Sequence, residues 1–74
     1  MLDPFELLKA LHALAAVDEG RAVEVEKVAS IVGAPSGEIE EALSVLRRME
    51  YVCISGKKVY LTEIGIMKIS SLFC

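Results

Sequence analysis

Apolar residues recur at two different spacings along the chain, and the change of spacing separates helical segments from a hairpin. Over most of residues 3–49 they stand three or four positions apart, the period of an amphipathic helix, whereas over 51–62 they alternate with polar residues, as on a half-buried strand. Together with the turn residues, the pattern predicts a single domain over 1–74 with these elements: a helix over 3–18, a short strand over 21–25, helices over 26–32 and 36–49, a hairpin over 51–62 and a helix over 63–72.

Capping residues predict where these helices begin and end. Asp3 precedes the first helix and supplies a carboxylate for its free N–H groups, and Gly20 is expected to end that helix. Gly33 provides the left-handed stop of the second helix. Ser36 and Thr62 are expected to cap the third and last helices.

The hairpin has a predicted register. The two-residue loop 56–57 begins with glycine, which suits the positive φ that a tight hairpin turn requires. This loop pairs Ile54 with Val59 and Val52 with Leu61, and both apolar pairs then fall on one face of the sheet.

The chain is rich in apolar residues for its size. A domain of 74 residues has a small core, yet 54% of the residues are hydrophobic. The first helix is apolar on almost every side, because alanines widen its leucine stripe, and such a helix is expected to be buried on almost every side. We therefore expect a homodimer, with interface candidates on the first and last helices: Leu7, Leu8, Leu11, Leu14, Ile69, Leu72 and Phe73.

The order of elements resembles the winged helix-turn-helix superfamily. The segment 33–46, GAPSGEIEEALSVL, looks like the turn and recognition helix of winged regulators, and 61–65, LTEIG, looks like the exit from the wing in MarR-like and PadR-like small regulators. The resemblance implies an α+β fold with a three-helix core, a short β-hairpin wing and a C-terminal helix. It also implies a dimer that binds double-stranded DNA, with the third helix in the major groove and the wing near the backbone.

The outward positions of the third helix fit DNA binding poorly. Glu38, Glu40 and Glu41 form an acidic ridge where such families favour polar or basic residues, and the net charge is −3. Ser44 fits the family pattern, and the cations that follow it are the remaining DNA-contact candidates: Arg47, Arg48, Lys57 and Lys58. Two leading functions stay open, beside a weaker third: a short chain whose only role is to dimerise with a larger regulator. One is a transcriptional regulator with weak or non-specific DNA contact through the wing; the other is a protein-interaction module whose acidic helix meets a basic partner.

Residues for catalysis or metal binding are sparse. His12 is the single histidine, and the two cysteines, Cys53 and Cys74, have no metal-site spacing, so no enzyme activity, cofactor or metal is expected. No apolar run reaches the roughly 18 residues of a membrane span. We expect a cytoplasmic protein that does not associate with membranes.

Overall fold

Four α-helices and three strands form over residues 2–72, the part of the chain that a computed structural model describes, apart from the side chain of Leu72. The elements are α1 (Pro4–Ala13), β1 (Val23–Glu24), α2 (Val25–Val32), α3 (Ser36–Arg48), β2 (Val52–Ser55), β3 (Lys58–Leu61) and α4 (Glu63–Leu72). The architecture is an α+β winged helix, which confirms the predicted fold class.

The three strands make one antiparallel sheet in the order β1-β3-β2. Val52 pairs with Leu61 and Ile54 with Val59, the register that the alternation predicted. β1 is only two residues long, because the chain before it forms a 3-10 turn over Glu19–Arg21.

The beginning of α2 is tied to the wing. Glu24 lies opposite Lys58 across the β1–β3 pair. One residue later, the Val25 N–H donates to the carbonyl of Lys57 at 2.9 Å. The junction of β1 and α2 is therefore fixed against the tip of the hairpin.

The core forms around α1, which contacts α2, α3, α4 and β3. Its buried residues come from every α-helix and from both hairpin strands: Leu7, Leu8, Leu11, Ala16, Val28, Ile39, Ala42, Leu43, Leu46, Val52, Val59, Leu61 and Ile69.

This core corrects the predicted interface. Leu7, Leu8, Leu11 and Ile69 are 0% exposed inside a single chain, so their side chains have no surface to offer a second copy. Leu14 is half-buried, whereas the Leu72 side chain and Phe73 lie outside the described residues. The helix period could not show that three other helices and a strand cover α1. The extra apolar positions of α1 are small alanines, of which Ala13 is exposed.

α1 ends earlier than predicted, at Ala13 instead of residue 18. Ala15 takes the left-handed conformation, with φ 57°, that glycine usually supplies after a helix. The Ala16 N–H then donates to the Leu11 carbonyl at 3.0 Å, as in the Schellman motif. An alanine can be forced into this conformation because the next residue, Ala16, becomes buried and its carbonyl accepts from the Leu61 N–H at 2.7 Å.

The N-cap of α3 lies one residue earlier than predicted. Pro35 is the N-cap residue, Ser36 is the first helical residue, and no side chain accepts a capping hydrogen bond there. The Pro35 carbonyl accepts instead from the N–H groups of Glu38 and Ile39 at 3.0 and 3.1 Å. Pro35 already has the extended conformation that an N-cap needs, which explains the shift.

The cap of α4 is hydrogen-bonded to the chain just after α3. Thr62 caps α4 as predicted, because its hydroxyl accepts from the Gly65 N–H at 3.0 Å, and the same hydroxyl donates to the Glu50 carbonyl. Gly65 lies so close to Tyr51 that an added Cβ would overlap the Tyr51 carbonyl oxygen. Glycine is therefore required at this position by packing.

Candidate nucleic-acid interface

α3 is buried along one side, so its polar residues divide between two flanks. Ile39, Ala42, Leu43 and Leu46 face the core. A helix turns by about 100° per residue, so adjacent glutamates on α3 point in clearly different directions. The acidic ridge therefore does not act as one surface.

One flank of α3 faces the hairpin across an open cleft of about 590 Å³, which we call the wing cleft. Its lining comes from the β1–α2 junction, from α3 and from the hairpin: Glu24, Val25, Glu26, Glu40, Leu43, Ser44, Arg47, Ile54, Gly56 and Lys57. Three of the five DNA-contact candidates meet here: Ser44 and Arg47 come from α3, and Lys57 comes from the hairpin turn.

The other two DNA-contact candidates, Arg48 and Lys58, are exposed but do not line the wing cleft. Arg48 follows Arg47 in the last turn of α3. Lys58 precedes the buried Val59 on β3, and because side chains alternate along a strand, it points to the outer face of the sheet. Both cations are accessible beside the cleft.

Charges in the wing cleft are mixed. Two basic residues, Arg47 and Lys57, share its lining with three acidic residues, Glu24, Glu26 and Glu40. Neither cation forms an ion pair within the described part of the chain, where the recorded pairs are Lys9–Glu6 and Arg21–Asp18. Both are therefore available to an outside anion, although nearby carboxylates weaken the attraction.

The opposite flank of α3 borders a second depression, of about 270 Å³, which we call the α1 groove because the beginning of α1 forms its other wall. It is lined by Leu2, Pro4, Glu38, Glu41, Ala42 and Val45. Two members of the acidic ridge, Glu38 and Glu41, lie here, whereas Glu40 lies in the wing cleft.

The outer face of the sheet carries a cysteine–tyrosine pair. Cys53 is exposed on β2 and lies opposite Tyr60 on β3. A side-chain hydrogen bond with Cys53 raises the pKa of Tyr60, and partial burial and the charges of Cys53 and Glu19 raise it further. Tyr60 therefore stays a neutral hydroxyl at physiological pH and adds no charge to this face.

Sequence reasoning missed the residues that the β1–α2 junction contributes to the wing cleft. Glu24 and Glu26 alternate with Val25, a pattern read only as a strand leading into a helix. Pairing that short strand with the hairpin would have placed both glutamates beside the wing tip. The missing information was which hairpin strand it joins.

Within the described residues, no three His, Cys, Asp or Glu side chains gather as a metal ion would need. Over the same part of the chain, each helix is either too short or too polar to cross a bilayer.

The four helices and the antiparallel sheet have the architecture of a winged helix. No protein-family model matches the chain, and no curated protein matches it. Among solved structures it is similar to TubR from Bacillus megaterium pBM400, with a TM-score of 0.86 and 19% sequence identity over 99% of this chain and 86% of that one. This similarity supports the fold; it does not support the narrower MarR-like or PadR-like resemblance.

Proposed function

We propose that the protein is a non-enzymatic, DNA-associated transcriptional regulator that binds double-stranded DNA weakly or with little sequence preference. The observation that carries the proposal is the convergence of Ser44, Arg47 and Lys57 in the wing cleft. These residues come from the helix and the hairpin that the winged-helix resemblance associates with DNA.

The chemistry of the wing cleft favours contact with the DNA backbone. Arg47 presents a planar fork of N–H donors that suits phosphate, and Lys57 supplies a mobile point charge at the wing tip. Arg48 and Lys58 add two exposed cations next to Arg47 and Lys57 in the chain. Ser44 is small and can donate to or accept from either a phosphate or a base edge.

Carboxylates limit the affinity. Glu24, Glu26 and Glu40 line the same cleft, and each approaches DNA phosphates as a like charge. A glutamate can accept a hydrogen bond from cytosine, but that contact offsets the repulsion only at particular bases. We therefore expect binding that is strongest at low salt and weakly dependent on sequence.

The proposal is tested by fluorescence anisotropy with a labelled mixed-sequence duplex over a series of salt concentrations. Contact by four cations predicts that log affinity falls against log salt with a slope of about −3 to −4 per chain. Arg47→Ala combined with Lys57→Ala should weaken binding about tenfold or more at low salt and reduce the slope by about 2.

Lys9→Ala is the matched control, because Lys9 is an exposed lysine on α1 that lines neither the wing cleft nor the α1 groove. It should leave affinity and slope close to those of the parent chain. Absence of binding at low salt would overturn the proposal and leave protein contact as the function of the fold. An equal loss in the control variant would show that the charge as a whole, not the wing cleft, holds DNA.

The proposal includes a homodimer, with an interface that differs from the predicted leucines. α4 exposes Ile64 and Met67, which are 48% and 71% exposed, and Met49 at the end of α3 is 50% exposed. Covering exposed apolar side chains of this size with a second surface removes them from water, which is favourable. A symmetric dimer through α4 would also double the number of cations that meet one duplex.

Sedimentation at micromolar concentration tests the dimer. The parent chain should sediment as a dimer, and Met67→Lys should convert it to a monomer because a charge would enter the apolar contact. Ile31→Lys changes another exposed apolar residue, on α2, and should leave the dimer intact. A monomeric parent chain would refute this part of the proposal.

A further inference from the structure

The α1 groove combines an apolar floor with an acidic edge. Leu2, Pro4, Ala42 and Val45 provide the apolar surface, and Glu38 and Glu41 provide the carboxylates. Glu41 is exposed and Glu38 is half-buried. The groove thus offers a place for an apolar group next to negative charge.

The size of the groove favours a side chain over a small-molecule ligand. Its volume of about 270 Å³ is below the range of about 300–1,000 Å³ that is usual for ligand pockets. A leucine or similar anchor from a partner helix is the kind of group that such grooves between helices receive.

The charge of the groove selects the partner. Among the described residues, the titratable ones that line it are Glu38 and Glu41, of which Glu41 is exposed, and the chain as a whole carries −3. DNA phosphates are repelled by this edge, whereas a lysine or arginine next to the apolar anchor is attracted to it.

We propose that the α1 groove docks a cationic amphipathic segment of a partner protein, with an apolar anchor against Leu2, Ala42 and Val45 and a basic residue at Glu41. The inference goes beyond DNA binding and does not depend on it. The lining residues of the α1 groove and of the wing cleft do not overlap, so the two flanks of α3 take ligands of opposite charge.

The experiment uses amide NMR spectra of the isotopically labelled full chain, titrated with a short synthetic amphipathic peptide that carries leucine on one face and lysine on the other. Shifts should concentrate at the beginning of α1 and along the Glu38, Glu41 and Val45 flank of α3. Two altered peptides test the two requirements. Replacing the lysines by glutamate should abolish the shifts, and replacing the leucines by serine should weaken binding.

Glu41→Gln is the test variant and Glu40→Gln its matched control, because the two glutamates are adjacent and both exposed but line different depressions. Loss of one partly screened charge contact should weaken peptide binding about twofold to fivefold for Glu41→Gln. Glu40→Gln should bind the peptide like the parent chain, and Glu41→Gln should bind the DNA duplex like the parent chain.

Several results would overturn the inference. No shift at millimolar lysine–leucine peptide would mean that the groove does not dock such a segment. Shifts centred on the wing cleft, or an equal effect of the two variants, would place the contact elsewhere. If Glu41→Gln alters self-association in sedimentation instead of peptide binding, a second copy of the chain occupies the groove. DNA binding is measured separately, so its failure would leave this result unaffected.

Discussion

The two flanks of α3 differ although the same helix supplies both. The flank in the wing cleft carries Glu40, Ser44 and Arg47, and Lys57 of the hairpin lines the same cleft. The flank in the α1 groove carries Glu38 and Glu41 with apolar neighbours. The number of acidic residues on a recognition-type helix therefore says little until each residue is assigned to a flank.

This difference reduces the conflict between an acidic third helix and a DNA-binding type of fold. Two of the three ridge glutamates lie away from the cleft where DNA would enter, and one remains in it. Substitutions can test this separation of the two flanks, and a change in the packing of α4 should disrupt both.

The largest effect is expected from Gly65→Ala. Its new Cβ would overlap the Tyr51 carbonyl oxygen, so α4 must move away from the chain that follows α3. We expect a loss of about 3 kcal/mol in the free energy of unfolding and a fall of more than about 10 °C in melting temperature. Thermal and urea unfolding measure both.

Gly37→Ala provides the control for this prediction. Gly37 lies in the first turn of α3, and an added Cβ there meets nothing within 4 Å. That variant should be about 0.5–1 kcal/mol more stable than the parent, because alanine favours the helix. Similar stabilities for the two variants would contradict the close packing of α4 on Tyr51.

A second pair of substitutions tests whether DNA contacts the wing cleft or the outer face of the sheet. Lys57→Glu reverses a charge inside the wing cleft, whereas Lys58→Glu reverses its neighbour on the outer face of the sheet. We expect Lys57→Glu to weaken duplex binding about tenfold at low salt and Lys58→Glu to weaken it less. Anisotropy titrations of the two variants decide the matter, and the reverse order would move the DNA contact out of the cleft.

A third change tests where α1 ends, since this helix forms one wall of the α1 groove. Ala15 has a φ of 57°, which costs an alanine about 1 kcal/mol compared with glycine. Ala15→Gly should therefore stabilise the chain by about 0.4–1 kcal/mol. Ala13→Gly, the same substitution at the last helical residue, should destabilise it by about 1 kcal/mol. Urea unfolding with equal signs for both variants would refute the early helix end.

Much of the fold followed from local signals. Alternation and a glycine-first loop were enough to give the hairpin register, and Thr62 was recognisable as the cap of α4. The end of α1 was not predictable, because an alanine in the left-handed conformation has no local signature and is held there by the burial of Ala16. The burial of Ala16 outweighed the preference of Ala15 for a negative φ.

The candidate site was predictable only in part. Its residue types were found, since Ser44, Arg47 and Lys57 stand out as polar or basic on exposed positions. Their convergence depends on how β1 and α2 pack against the wing tip, which periodicity does not encode. The same limit explains why the leucines of α1 were assigned to an interface: helix periodicity gives the apolar face but not what covers it.

The central claim is that Glu40 and Glu41, neighbours in sequence, belong to different surfaces. Its most direct test is the affinity of Glu40→Gln and of Glu41→Gln for the same labelled duplex at low salt. We predict that Glu40→Gln binds about twofold to threefold more tightly than the parent, since one repelling charge leaves the wing cleft, and that Glu41→Gln binds like the parent. Equal tightening by both variants, or tightening by Glu41→Gln alone, would contradict the account.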